Sequence, residues 1–141
     1  GTYLSETLVI CHYLDDISGG KLYPKDSAAR EQAMVIEGIA SLLMDSQFAR
    51  SHEKRREDGE KSQGVIDKEA GRAARSYDSL EGMADSFGDD FHMGLMSVVA
   101  ALGYADWRHP DDGWRDGRPK LAAWYKKMED RSAVAETKVV L

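Results

Sequence analysis

From Phe91 to Trp107 the chain is apolar almost without interruption: Met93, Leu95, Met96, Val98, Val99, Ala100, Ala101 and Leu102 leave no side of a helix polar. A helix that is apolar all round has to be surrounded by other elements. A chain carrying such a segment must wrap further helices about it, and 141 residues are enough to build that core. The methionines suit irregular gaps in its packing, better than they suit a methionine-lined ligand surface.

The surrounding elements read as helices too. A first helix over residues 5–17 stops at Ser18-Gly19-Gly20. Residues 20–25 connect it onward, with Pro24 biasing Tyr23 towards an extended backbone. Asp26 is a good N-cap for a second, long helix, in which Ala29, Ala33, Ile36, Ala40, Leu43, Met44 and Gln47-Phe48 recur at three- and four-residue spacing as far as about Glu53. Residues 50–63 are polar with mixed charge and read as a frayed helix end and a solvated turn. A third helix resumes near Val65, with Ile66, Glu69, Ala73, Tyr77, Leu80 and Met83-Ala84 on one stripe, and ends at residues 86–90. After a loop at residues 109–113, Pro119 opens a last long helix with Leu121, Trp124, Tyr125 and Met128 on one side. Arg131-Ser132 closes it, and Ser132 is placed to cap a short helix at 133–136. Neither strand-period alternation nor an internal repeat is present. The reading is all-α: a five- to six-helix bundle with one loosely attached helix at the front.

Composition narrows the function classes. A formal net charge of −6 argues against nucleic acid or an anionic membrane as partner. One cysteine, Cys11, fits a reducing compartment. No apolar run approaches the roughly 20 residues of a membrane span, and no secretory signal is visible. The four histidines, His12, His52, His92 and His109, fall on different elements without metal-ligand spacing. Phosphate loops and nucleophile elbows are absent. The acidic pairs Asp15-Asp16, Asp89-Asp90 and Asp111-Asp112 read as capping and solvation. Cys11 and His12 are neighbours on a helix and point about 100° apart, so Cys11 reads as an inert thiol.

Ser5-Glu6-Thr7 is the one constellation with a case for ligand binding. It stands at a helix start, where backbone N–H groups and the helix dipole favour an anionic group. A ligand carboxylate there would accept from an N–H and from the Thr7 hydroxyl, and Glu6 would accept from a ligand ammonium. Taken alone, the same three residues are ordinary caps.

A family resemblance adds to this. Leu4-x-Glu6-Thr7-x-Val9-Ile10-x-x-Tyr13-Leu14, Leu22-Tyr23-Pro24 followed by Arg30, Ala101-Leu102-Gly103-Tyr104-Ala105-Asp106-Trp107-Arg108, and Trp114-Arg115-x-Gly117-x-Pro119-x-Leu121-x-x-Trp124 with Arg131-Ser132 and Thr137 stand in the order and spacing of bacterial glutathione transferases over nearly the whole chain. The resemblance implies that residues 1–18 hold the last helix of a thioredoxin-like domain whose other parts lie outside this sequence, 19–25 a linker and 26–141 an all-helical C-terminal domain. It implies glutathione as co-substrate without a metal, a small electrophilic partner, a homodimer and a cytoplasmic location. Glu6 and Thr7 match the positions that hold the γ-glutamyl group. Leu43, Met44 and Gln47 fall where the electrophile pocket would be lined. The thiol-activating residue would lie before this chain, so the chain by itself is expected to be inactive. The alternative is a non-enzymatic interaction module of the same fold.

Three expectations follow from the family pattern. His92 and Leu95 replace the usual capping box of the central helix, leaving Asp89 or Asp90 to cap it. Ser132 stands where proline is common, a neutral change. The apolar face Leu4, Leu8, Ile10-Cys11 and Leu14 is expected to pack on the helical domain or on a neighbouring chain.

Overall fold

The computed structural model describes residues 1–138, and Val139–Leu141 lie outside the description. The apolar segment folds as helix α4 (Met93–Arg108) and lies in the middle of the bundle. Around it run α1 (Thr7–Ser18), α2 (Ser27–Lys54), α3 (Gln63–Met83), α5 (Pro119–Glu129) and α6 (Ser132–Thr137), with single 3₁₀ turns at Ala84–Ser86 and Pro110–Asp112. No strand occurs among the described residues.

Helix α2 is the spine. Asp26 caps it by accepting the Ala29 N–H at 2.9 Å. Its inner face, Ala33, Ile36, Ala40 and Leu43, packs on α4, and α3 flanks it. Ile36, Leu43, Leu80, Leu95, Leu102 and Leu121 are fully buried, and each contributes about 2 kcal/mol of transfer free energy. α4 approaches α2 closely because Gly94 has no side chain: a Cβ there would overlap the Ala33 carbonyl oxygen. Aromatic rings fill the other end of the core. Trp114 stacks on Tyr77 at 6.0 Å and meets Tyr125 edge-on at 5.7 Å.

The start of α4 departs from expectation. His92 is its N-cap residue, and no side chain caps the helix. Instead the Met93 N–H donates to the Leu22 carbonyl at 2.8 Å. Neither Asp89 nor Asp90 caps; Asp89 pairs with Lys127 at 3.0 Å. A carbonyl from the connector after α1 therefore replaces the side-chain box, which fixes that connector to the centre of the bundle. Ser132 likewise is not a cap: Arg131 precedes α6, without a side-chain bond.

α1 also sits differently from expectation. Leu8, Cys11, His12 and Asp15, at three- and four-residue spacing, are its least exposed residues, and Asp15 is buried. Leu4, Ile10 and Leu14 are exposed, as are Val9, Tyr13 and Ile17. The helical domain leaves most of the expected apolar face uncovered, because α1 docks through polar and aromatic groups.

Candidate functional site

The residue before α1, Glu6, has φ 77° and is the only non-glycine with positive φ among the described residues. A side chain there costs of order 1–3 kcal/mol and is held only where the surroundings impose it. The Glu6 carbonyl accepts the Ile10 N–H at 3.0 Å, so the turn is closed, yet no side chain caps the helix. Ser5, Glu6 and Thr7 are all exposed. Glu6 is the N-cap residue by position, but no side chain caps the helix start.

The other half of α1 is tied to the connector that follows it. The Asp15 carboxylate accepts the N–H groups of Leu22 at 2.6 Å and Tyr23 at 3.4 Å, and pairs with Arg30 at 3.4 Å. Burial alone would raise its pKa, but the two N–H donors and the guanidinium outweigh that and hold it below the usual carboxylate range. The pair Asp15-Asp16 is thus not mere solvation. The His12 ring stacks on Tyr23 at 4.6 Å and 3°, and the Arg30 guanidinium stands over the Tyr23 ring at 5.0 Å. The Tyr23 hydroxyl donates to the buried Glu37 carboxylate at 2.8 Å. Burial, then Glu37, pushes the Tyr23 phenol far above its ordinary pKa. Burial and Glu37 also raise the half-buried Cys11 thiol, which keeps it protonated and unreactive near neutral pH.

A second feature lies along α4. A cavity of about 720 Å³ runs between α4, α5 and α6. Its walls are Phe91, Met96, Val99, Tyr104, Trp107 and Tyr125, with Met44 reaching in from α2 and residues 133–138 closing one side. Tyr104 meets Trp107 edge-on at 5.7 Å. The ionic groups at the wall are compensated. Asp106 takes both arms of Arg115, at 2.6 and 2.7 Å, and the Trp114 Nε1–H at 2.8 Å; Glu129 pairs with Lys138 at 2.9 Å. The arrangement suits an uncharged apolar molecule of small size.

Of the sequence-derived pocket residues, Met44 lines this cavity. Leu43 faces the core instead, and Gln47 is fully buried, with its Nε2 donating to the Tyr77 hydroxyl at 2.8 Å. Along a helix, one-residue steps turn by about 100°, which separates Leu43 from Met44. Glu6 and Thr7 are not part of the cavity wall. Phe91, Tyr104 and Trp107 escaped selection because the whole α4 segment reads as core. Trp107 falls on a second stripe with residues 96, 99 and 103, on a different side of α4 from the buried stripe 95, 98, 102 and 105, whereas Phe91 and Tyr104 lie off it. Among the described residues no group of His, Cys, Asp and Glu is placed to hold a metal ion, and no helix is long and apolar enough to cross a membrane.

An all-helical bundle of six helices is the architecture of the C-terminal region of glutathione transferases. The chain superposes with a TM-score of 0.92 on a glutathione transferase family member from Pseudomonas fluorescens Pf-5 with bound S-(propanoic acid)-glutathione, at 30% identity over all of this chain and 74% of that one. A glutathione S-transferase from Methylobacillus flagellatus KT with glutathione bound matches at 26% identity and TM-score 0.87, over 97% of this chain and 70% of that one. The uncharacterized GST-like protein YibF of Escherichia coli (strain K12) is 24% identical over 133 residues; the match takes in 92% of this chain and spans 66% of that relative's length. No protein-family model matches the chain. The chain belongs to the glutathione transferase family.

Proposed function

We propose that this chain serves a glutathione transferase in which the glutathione thiolate attacks a small electrophile. In this reading residues 1–18 close a thioredoxin-like domain, 19–25 link it to the helical domain of residues 26–141, and the exposed apolar residues of α1 lie against the rest of the first domain. Glu6 accepts the ammonium of the γ-glutamyl group, while the Thr7 hydroxyl and first-turn N–H groups donate to its carboxylate. The electrophile occupies the cavity beside Met44, Tyr104 and Trp107.

The observation that carries this reading is the strained backbone of Glu6 at an exposed, uncapped helix start. Strain of this kind persists where it positions a group for a ligand. That the two solved relatives hold glutathione or its conjugate supports the choice of ligand. The whole protein is expected to be retained on immobilised glutathione, and Glu6→Ala to abolish retention without loss of fold. Retention unchanged in Glu6→Ala would refute the assignment, and no retention of the parent would favour an interaction module. The 141-residue chain by itself is expected to show no conjugation of a chlorinated aromatic, since no residue in it is assigned to thiol activation.

The proposed assembly is a homodimer. Met34, Val35, Leu42 and Phe48 form an exposed apolar stripe along α2, at a spacing that keeps them on one side of the helix. A second copy packing on this stripe would cover it by two-fold symmetry.

A further inference from the structure

Tyr125 follows Trp124 on α5, and its ring belongs to the core: it meets Trp114 edge-on, and only 4% of the residue is exposed. Its hydroxyl is placed differently. No group among the described residues hydrogen-bonds it. Nor is the oxygen enclosed, as the partnerless indole nitrogen of Trp124 is. The small exposed part of Tyr125 therefore includes the hydroxyl, and Tyr125 forms part of the wall of the cavity between α4, α5 and α6. Gly103 of α4 is wall as well, and a Cβ there would lie 3.4 Å from the hydroxyl oxygen. The absent side chain leaves that approach to the oxygen open.

The surroundings decide what this hydroxyl can bind. Burial, then the Asp106 and Glu129 carboxylates, push its pKa up to about 12, against the opposing effect of Arg115. It therefore keeps its hydrogen at neutral pH and stands ready as a donor. Both carboxylates are already committed, Asp106 to Arg115 and Trp114, Glu129 to Lys138. Tyr104 and Trp107 are only half-buried, so solvent reaches them, whereas Tyr125 lies deeper. An anionic ligand would meet the field of the two carboxylates. A ligand hydroxyl would need a further acceptor for its own hydrogen. A carbonyl oxygen is completed by the one donor present, while Phe91, Met96 and Val99 suit an apolar body attached to it.

We propose that Tyr125 is a specificity-determining residue of the cavity, its hydroxyl donating to the carbonyl oxygen of an uncharged, mainly apolar ligand; this rests on the reading of the cavity as the seat of the electrophile. The test compares acetophenone with α-methylstyrene, which has the same shape with C=CH₂ in place of C=O. Equilibrium dialysis against the whole protein, without glutathione, gives the two affinities. Their ketone-to-hydrocarbon ratio is expected to fall about five-fold in Tyr125→Phe, the size of one neutral hydrogen bond. The infrared carbonyl stretch of bound acetophenone is expected at lower frequency in the parent than in the variant, a difference that a change in packing alone would not produce. An unchanged ratio, or the same stretch in both proteins, would overturn the proposal while leaving the cavity as a binding site. Failure of the parent to bind either probe would overturn it together with the cavity as the electrophile seat. Retention on immobilised glutathione, which depends on Glu6, would stand or fall separately.

Discussion

The Asp15 carboxylate takes the Leu22 backbone N–H at 2.6 Å, across seven residues, and through that bond the first helix is tied to the linker. Asp15→Ala would leave two buried N–H groups and Arg30 without their acceptor. A loss of about 3 kcal/mol is expected in urea denaturation, with amide exchange rising most over residues 7–18. Because the folded carboxyl is held below its ordinary pKa, its contribution is present above about pH 3.8 and is lost as the pH falls through the depressed value. Protection of residues 7–18 equal to that of the parent would show that α1 is held by other contacts.

At Gly94, α4 passes close to the backbone of α2. Gly94→Ala forces its new Cβ against the Ala33 carbonyl, and backbone cannot swing aside as a long side chain can. Helix propensity favours alanine by roughly 1 kcal/mol, but overpacking of a rigid contact costs about 1–3 kcal/mol or more. Net destabilisation is expected, seen as a lower denaturation midpoint with an unchanged slope. A stabilised variant would contradict the close contact.

His92 and His109 both have pKa values lowered from 6.5, each chiefly by burial. His109 is pushed down further by Arg50 and Lys54, against the raising effects of the Gln47 carbonyl and Asp112. A base harder to protonate when folded gives the unfolded chain more protons below its free pKa. Stability is therefore expected to be level above about pH 6.5 and to fall as the pH drops through the folded values. Denaturation midpoints taken from pH 7.5 to 5 measure this. In His109→Gln the slope should be shallower, and an unchanged slope would assign the effect elsewhere.

Leu42 stands on the exposed stripe of α2 and makes no core contact. Leu42→Glu is expected to leave the fold intact and to weaken self-association at least tenfold, about 1.4 kcal/mol, by sedimentation velocity. A parent protein that is monomeric at micromolar concentration would rule out the dimer.

The bundle itself was readable because its signals are local. Asp26 lies three residues from the N–H it caps, Pro119 opens the helix it precedes, and the α4 segment declares its burial by composition. What stayed hidden depends on partners remote in sequence. Asp15 looks like a surface acid until Leu22 and Arg30 reach it. The α4 start looks uncapped until the Leu22 carbonyl, 71 residues earlier, is brought to Met93. Gln47 and His109 meet across 62 positions. The cavity was concealed for a different reason: on a helix with two apolar stripes, no periodicity separates the one that fills the core from the one that lines a space.

Tyr23 touches α1 with its ring and α2 with its hydroxyl, so together with the Asp15 bonds it fixes the pitch at which the first helix leaves the bundle. Glu6 is carried at the tip of that helix like a pointer on a fixed arm. Small changes at Glu37, several turns away inside α2, would re-aim it. If Glu6 holds a ligand as proposed, preference at the tip can drift by substitutions that never meet the ligand, and the linker tyrosine is where such drift would be transmitted.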